Sequence, residues 1–179
     1  IPQALFKFLP KYDHLLGVLL EQNKNSTISI IKDKDPHYTK IFVERLLKNK
    51  KINKNFKRIF FLDGQDKKFN FIDKLMEHKI VMDTVGWSGG NTSIEAIYLD
   101  KPIITLEGNS LRGNHTSAIL KQINLDILIA KNYSEYLALA KKINDDENFY
   151  NFVVEKIKTN KKFLFRKQIS FFNKIEPYI

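Results

Sequence analysis

The segment GWSGGNTSIEA, residues 86–96, brings glycines, hydroxyl side chains and a carboxylate to the predicted start of a helix. Backbone N–H groups at a helix start are free to bind an anion, and the helix dipole favours negative charge there. Gly89 and Gly90 would let a phosphate approach the backbone closely, and Thr92 and Ser93 would add hydroxyl donors. The segment therefore predicts a diphosphate site, although its spacing matches neither the P-loop nor the G-x-G-x-x-G pattern.

Two other interpretations fit the same residues. Thr92 and Glu95 form a T-x-x-E pattern, which predicts a capping box and a helix that starts at Thr92. Residues 86–90 also fit G-x-S-x-G, the pattern that presents a nucleophilic serine in hydrolases, here Ser88. A hydrolase needs a histidine further along, and the sequence offers only His115. No H-G-G-G oxyanion segment precedes the G-x-S-x-G pattern, so a serine hydrolase is an alternative with little support.

The charge of the chain is strongly positive, with a formal net charge of +10 over 179 residues. Such an excess favours phosphate-bearing partners. Only four of the 30 basic residues are arginine, however, whereas nucleic-acid surfaces usually combine arginine forks with interleaved aromatic side chains. We therefore interpret most of the charge as a solvated surface and predict a loop for the lysine-rich run at 48–58. A basic nucleic-acid-binding domain remains a less favoured alternative.

Composition also excludes several kinds of site. The absence of cysteine excludes disulfides and thiolate metal sites, and the four histidines show no metal-ligand spacing, so no metal is expected. The sequence contains neither a long apolar run typical of a membrane span nor a signal peptide pattern, which leads us to expect a cytoplasmic protein. The chain starts with Ile1, which we interpret as a fragment or a processed product.

Helical and strand-like segments alternate along the chain, which predicts one α/β domain with a doubly wound, Rossmann-like parallel sheet covered on both faces. Ligands of such sheets bind at the carboxyl ends of the strands. The loops there are 63–68, 86–93 and 107–115, and Arg112 and His115 in the last of them suit phosphate recognition. The predicted strands are 26–33, 58–63, 80–85, 102–108 and 125–130, and the predicted helices are 13–22, 36–50, 66–79, 90–100, 114–123, 134–143, 148–158 and 166–175.

The stretches IVMDTVGWSGGNTSIEAIYLDKPIITLEGN and SAILKQINLDILIAKNYSEYLALAKKI closely resemble the donor-binding half of glycosyltransferase family 41. This family includes the O-GlcNAc transferases, the SPINDLY-type protein O-fucosyltransferases and many bacterial relatives with tetratricopeptide repeats. ALFKFLP resembles the family's L-(F/Y)-K-x-x-P segment, and Leu164-Phe165 resembles its L-F element. The resemblance therefore covers nearly the whole chain, and the R-G-N-H loop is similar to that of bacterial members.

The resemblance implies the C-terminal lobe of a GT-B fold over residues 1–179, with the N-terminal lobe absent from this chain. It implies an inverting, metal-independent transfer of a sugar from a nucleotide sugar, such as UDP-GlcNAc, to a hydroxyl of a protein or glycan. The nucleotide sugar is then a substrate and no cofactor is needed, while the missing lobe or a repeat domain would bind the acceptor. On this basis we expect the isolated chain to be inactive, and a non-catalytic nucleotide-binding module is the main alternative.

The resemblance also assigns roles to individual residues. Lys7 matches the lysine that neutralises the donor diphosphate, a role that makes physical sense because the leaving group gains negative charge. Asn91, Thr92 and Ser93 match the His-Thr-Thr trio that holds this diphosphate, with Gly89 and Gly90 beside it, and Glu95 matches the carboxylate that takes the ribose hydroxyls.

Other positions are assigned more loosely by the same resemblance. Gln65 and Lys67 fall in the loop that reads the base, and Arg112 and His115 lie near the base or the sugar. Asn91 stands where O-GlcNAc transferases have histidine, and the carboxylate falls one residue earlier than theirs. These departures leave UDP-GlcNAc and a GDP-sugar both open as donors.

Overall fold

The computed structural model describes residues 1–66 and 70–164, in which β-strands and α-helices alternate. The strands are β1 (Ile28–Ile31), β2 (Ile59–Leu62), β3 (Val81–Met82), β4 (Ile103–Leu106) and β5 (Ile129–Ala130). The helices are α1 (Asp13–Gln22), α2 (Pro36–Leu47), α3 (Lys50–Asn55), α4 (Phe71–Met76), α5 (Asn91–Tyr98), α6 (His115–Gln122), α7 (Tyr133–Asp145) and α8 (Glu147–Asn160).

All pairing among the described strands is parallel, which confirms the predicted α/β class. The strands are shorter than predicted, however, and they form two sheets, β1–β2 and β3–β4–β5, where one was expected. Ile28 lies opposite Ile59 in the first sheet, and Val81 lies opposite Ile103 in the second. The parallel order brings the carboxyl ends of β3, β4 and β5 to one edge, where the glycine segment begins.

Helix α1 packs into both halves of the core. Its Leu15 and Leu19 join the apolar cluster around β3–β4–β5, whereas Leu16 and Leu20 join the cluster around β1–β2. Side chains three or four residues apart share one face of a helix, so these two pairs form adjacent stripes. Helix α1 thus holds the two sheets together through one continuous apolar surface.

Strand β4 lies at the centre of the second sheet. All four of its residues are buried, including Thr105. Because successive side chains of a strand point to opposite faces, burial of every residue requires cover on both faces. Helices α5, α6 and α7 all pack against this strand. The predicted two-sided cover is therefore present at β4.

The lysine-rich run at 48–58 is not the loop that we predicted. Its first part forms helix α3, with Asn49 as the N-cap accepting hydrogen bonds from the N–H groups of Lys51 and Ile52. The side chain of Ile52 is fully buried in the core. The helix forms because one well-placed apolar residue and a capping asparagine outweigh the high density of positive charge.

Arg58, at the end of the same run, has a structural role. Its guanidinium donates hydrogen bonds to the side chain of Asn55 and to carbonyls at and beyond the end of α1, those of Leu20, Asn23, Lys24 and Ser26. Carbonyl groups at a helix end lack partners within the helix. One planar side chain thus fixes the turn that leads from α1 into β1.

Two further elements differ from the prediction. The predicted strand at 125–130 begins as a 3-10 turn, Asp126–Leu128, and only its last two residues pair with β4. Helix α4 is shorter than the predicted 66–79, because Asn70 caps its start by accepting from the N–H of Ile72. The predicted helix at 166–175 lies outside the described residues. No described helix is long and apolar enough to cross a membrane.

Candidate functional site

The glycine segment leads from β3 into helix α5. The helix begins at Asn91, and Gly90 occupies the N-cap position without a side-chain capping bond. The predicted capping box of Thr92 and Glu95 is therefore wrong, because the hydroxyl of Thr92 is engaged by a residue from the start of the chain. Within the described part of the chain, the backbone N–H groups of Asn91 and Thr92 have no hydrogen-bond partner. They form a donor pair at the positive end of the helix.

The residue that hydrogen-bonds to the Thr92 hydroxyl is Gln3, and it links Lys7 to the start of α5. The ammonium nitrogen of Lys7 donates to Gln3 Oε1 at 3.0 Å and to the backbone oxygen of Ser88 at 3.2 Å. Gln3 Nε2 in turn donates to Thr92 Oγ1 at 2.7 Å. Among the described residues, no carboxylate forms an ion pair with Lys7. The structure thus places an uncompensated cation beside the predicted diphosphate segment.

The buried carboxylate of Asp83 holds the glycine segment through a hydrogen bond. Asp83 is 1% exposed, and its two oxygens accept from Gly89 N and Thr105 Oγ1, each at 2.7 Å. Burial raises the pKa of the Asp83 carboxyl, although these two hydrogen bonds act in the opposite direction. The hydroxyl of Tyr136, whose pKa is also raised by burial, donates to the backbone oxygen of Asp83 at 2.6 Å.

Ser88 joins the glycine segment to the next loop. Its hydroxyl donates to the backbone oxygen of Arg112 at 3.1 Å and accepts from the backbone N–H of His115 at 2.9 Å. Its own N–H also donates to the Arg112 oxygen at 2.8 Å. The side chain is buried, and its partner at His115 is a main-chain group instead of the imidazole. Ser88 therefore serves as a cross-link between loops, which removes the geometric basis for the hydrolase alternative.

The two adjacent glycines of the segment have different surroundings. A Cβ at Gly89 would overlap Ser93 Oγ and lie 2.5 Å from Gln3 Nε2, so this position has no room for a side chain. A Cβ at Gly90 would meet no atom within 4 Å. The segment is thus closed toward the core at Gly89 and open in front of Gly90, where a ligand could approach the backbone.

Three predicted residues of α5 take different positions. The Ser93 hydroxyl is fully buried and shares a hydrogen bond of 2.8 Å with Thr116 Oγ1, which ties α5 to α6 and turns this group away from the surface. Asn91 is exposed at the helix start, and Glu95 is partly exposed one turn further on. Of the predicted hydroxyl donors, Thr92 is therefore the one that lies beside Lys7.

The loop between β4 and α6 lies next to the glycine segment. The guanidinium of Arg112 sits over the ring of Trp87 at 5.0 Å, and the side chain of His115 is exposed at the start of α6. The side chain of Asn114 holds this loop by accepting from Gly108 N at 2.8 Å and donating to Gly108 O at 2.7 Å. Arg112 and His115 thus lie next to the glycine segment, and their role toward the base or the sugar stays a prediction.

Gln65 has its contacts in a different part of the molecule. It is exposed at the carboxyl end of β2, where its Nε2 donates to the backbone oxygen of Lys34 at 2.9 Å and its N–H donates to Asp63 Oδ1. It lines a surface depression beside the start of α2, where three lysines are balanced by three aspartates and Lys32 pairs with Asp63. The other residue predicted for this loop, Lys67, lies outside the described residues.

Sequence reasoning missed Gln3, Asp83, Thr105 and Asn114 as parts of the site. Asp83 carried a signal, because an acidic residue directly after a buried strand is unusual and has to find donors inside the fold. Gln3 carried none, since nothing in a sequence relates an isolated glutamine to a threonine almost ninety positions away.

Several known proteins are similar to this chain in sequence or in fold. The sequence model of the family described as glycosyl transferase family 41 matches residues 4–174. Probable UDP-N-acetylglucosamine–peptide N-acetylglucosaminyltransferases SPINDLY of Petunia hybrida and Solanum lycopersicum are 33% and 31% identical over 67 residues. Each match covers 37% of this chain and 7% of the plant relative.

A mutant O-GlcNAc transferase of Thermobaculum terrenum shares the fold, with a TM-score of 0.78 at 21% sequence identity. The likeness covers 96% of this chain and 33% of that one, which confirms the predicted C-terminal lobe of a GT-B fold. The family match extends over nearly all of the chain and includes the Lys7 segment, the glycine segment and the loop that follows β4. On this evidence, the chain belongs to glycosyl transferase family 41.

Proposed function

We propose that this chain is the donor-binding lobe of a glycosyltransferase and that it binds the diphosphate of a nucleotide sugar between Lys7 and the start of α5. One observation carries the proposal. The ammonium group of Lys7, which has no carboxylate partner among the described residues, lies beside a helix start whose Asn91 and Thr92 N–H groups are unbonded. A cation, free amides and the open space in front of Gly90 together have the properties of an anion site.

The same arrangement suits the chemistry of sugar transfer. As an acceptor hydroxyl forms its bond to the anomeric carbon, the bond from that carbon to the diphosphate breaks and the leaving group gains negative charge. We propose that Lys7 and the α5 amides stabilise that charge, so that transfer needs no metal ion. Attack from the face opposite the leaving group inverts the anomeric configuration, and we propose this stereochemistry here.

The donor is proposed from the residues that flank the diphosphate site. Glu95, one turn into α5, is proposed to take the ribose hydroxyls, and Arg112 and His115 are proposed to contact the base or the sugar. The plant relatives carry UDP-N-acetylglucosamine in their names, which favours UDP-GlcNAc as the donor and a protein hydroxyl as the acceptor. The chain spans a third of the bacterial transferase and 7% of the plant relatives, so the acceptor site is proposed to lie outside it.

Turnover by the intact protein tests this proposal. UDP-GlcNAc and GDP-fucose are supplied separately, and release of UDP or GDP is measured for the wild type, Lys7→Met and Lys11→Met. We expect one donor to be turned over and Lys7→Met to lower the rate by about a hundredfold or more. Lys11→Met removes a nearby exposed lysine as a matched control and should leave the rate unchanged. Tight binding of a donor without turnover would instead support a non-catalytic module, and equal rates for the two variants would contradict the role of Lys7.

A further inference from the structure

We propose that Gln3 is a positioning residue that sets the hydrogen-bond polarity of the diphosphate site. It turns the hydroxyl of Thr92 and one N–H of Lys7 outward as donors. The inference rests on the proposed function, because it explains how the residues beside α5 come to offer only donors to an anion. It concerns a side chain that does not itself reach the proposed ligand position, since Gln3 is 2% exposed.

The chemistry of the two neighbours fixes the orientation of the Gln3 amide. An ammonium group has only donors, so the atom of Gln3 that faces Lys7 has to be the carbonyl oxygen Oε1. The other end of the amide is then the NH₂ group, which can only donate. Thr92 Oγ1, 2.7 Å from Nε2, is therefore the acceptor in this contact.

This orientation has a direct consequence for Thr92. A hydroxyl carries one hydrogen, and because Oγ1 already accepts from Gln3, that hydrogen is available to a different partner. Within the described residues, the Thr92 hydroxyl donates to no acceptor. Its hydrogen is thus free for a phosphate oxygen at the start of α5.

Lys7 also keeps one hydrogen-bond donor available. Its ammonium group has three N–H donors, and the contacts with Gln3 Oε1 and the Ser88 carbonyl use two of them. One donor remains for a ligand. Gln3 therefore directs Lys7 and Thr92 so that each offers one hydrogen to the same anion.

The packing around Gln3 holds this arrangement in place. Gly89 leaves the space that the amide fills, since a Cβ there would lie 2.5 Å from Gln3 Nε2. The N–H of the same glycine is held by Asp83 at 2.7 Å. The amide is thus enclosed by a backbone segment that is itself anchored to the sheet, so its orientation is set before any ligand arrives.

The sharpest test is Gln3→Glu in the intact protein. Glutamate has nearly the same shape but places a second acceptor where Nε2 was, so the Thr92 hydroxyl turns inward to donate to it. It also adds a negative charge next to Lys7 and the diphosphate. The probes are UDP and GDP, each compared with its nucleoside, uridine or guanosine. For the base that the wild type binds, we expect diphosphate affinity to fall by about tenfold or more and nucleoside affinity to stay within about twofold.

Two further variants separate polarity from structure. Gln3→Met keeps the length of the side chain without either hydrogen bond, and it should lower diphosphate affinity less than Gln3→Glu does. It also provides the test if the glutamate variant fails to fold. Gln122→Glu makes the same charge change at the distant end of α6, where the side chain is exposed, and should have no effect.

The outcomes distinguish this inference from the proposed function. A Gln3→Glu protein that binds the nucleoside diphosphate as tightly as the wild type would overturn the inference, as would equal losses for diphosphate and nucleoside. A smaller penalty of Gln3→Glu in a Thr92→Val background would support the path through Thr92, and an unchanged penalty would contradict it. A wild type that binds neither UDP nor GDP would instead overturn the proposed function itself.

Discussion

The side chain of Asp83 accepts a hydrogen bond from the backbone N–H of Gly89 at 2.7 Å, and this contact ties the glycine segment to the sheet. The second oxygen of the same carboxylate accepts from Thr105 in the central strand β4. The Asp83 carboxylate thus connects the glycine segment to the central strand, and this connection fixes the shape of the segment in the free protein. The proposed diphosphate site is therefore preorganised, which lowers the entropic cost of binding.

Removing the Asp83 side chain should destabilise the protein. Asp83→Ala leaves the Gly89 N–H and the Thr105 hydroxyl buried without a partner, and we expect the free energy of unfolding to fall by roughly 2–4 kcal/mol. Asp83→Asn should cost about half as much, because one amide oxygen can still accept and the Thr105 hydroxyl can rotate. Urea denaturation measures both values. Asp73→Ala, at an exposed position in α4, is the control and should change stability by less than about 0.5 kcal/mol.

The cost of Asp83→Asn should depend on pH in a defined direction. Burial raises the folded-state pKa of Asp83 above its unfolded value of about 3.9. The stability that comes from the bound proton is then complete below that value and is lost as pH rises through the raised folded pKa. The asparagine variant does not titrate at this position. The wild type should therefore lose its advantage over Asp83→Asn as pH increases from about 4, and an advantage that grows with pH would contradict the assignment.

Alanine at the two adjacent glycines should produce contrasting effects. Gly89→Ala places a methyl group against Ser93 and Gln3, and we expect a loss of roughly 1–3 kcal/mol of stability. Gly90→Ala has open space around the new methyl group and should change stability by about 0.5 kcal/mol or less. It should still weaken nucleoside diphosphate binding, because the methyl group occupies the proposed phosphate approach. Thermal denaturation and calorimetric titration of both variants provide the comparison, and full affinity of Gly90→Ala would argue against that approach.

Arg58 is only partly buried, but its guanidinium should contribute strongly to the free energy of unfolding. Arg58→Ala leaves several carbonyls at and beyond the end of α1 without their donor, and we expect a loss of roughly 2–4 kcal/mol in urea denaturation. Arg58→Lys should recover less than half of this, since an ammonium group lacks the planar fork. Lys57→Ala, at the exposed neighbouring residue, is the matched control. A loss no larger than that of the control would show that the contacts contribute little.

The sequence was sufficient to predict the order of the five strands and of the described helices other than α3, because apolar periodicity reports which segments are buried. The glycine segment was also recognisable as the start of a helix, since few other arrangements need bare backbone next to hydroxyl groups. The family resemblance identified Lys7 as the cation beside that segment, and the structure places it there. These features depend on local composition and spacing, which a sequence displays directly.

The features that sequence reasoning missed depend on contacts between distant segments. Thr92 and Glu95 match a capping box, but Gln3 engages the Thr92 hydroxyl from the start of the chain. The run at 48–58 has the charge of a loop, yet the burial of Ile52 makes part of it a helix. In both cases tertiary packing decided between local alternatives of similar energy.

The position of a bound nucleoside diphosphate in a crystal structure of the intact protein tests the central claim most directly. Crystals grown with UDP or GDP would show the distance from the Lys7 ammonium nitrogen and from the N–H groups of Asn91 and Thr92 to the nearest phosphate oxygens. We predict that all three distances are about 3 Å, with the diphosphate in front of Gly90. A diphosphate held instead in the depression beside Gln65 and Lys32, with Lys7 making no contact to it, would contradict the account.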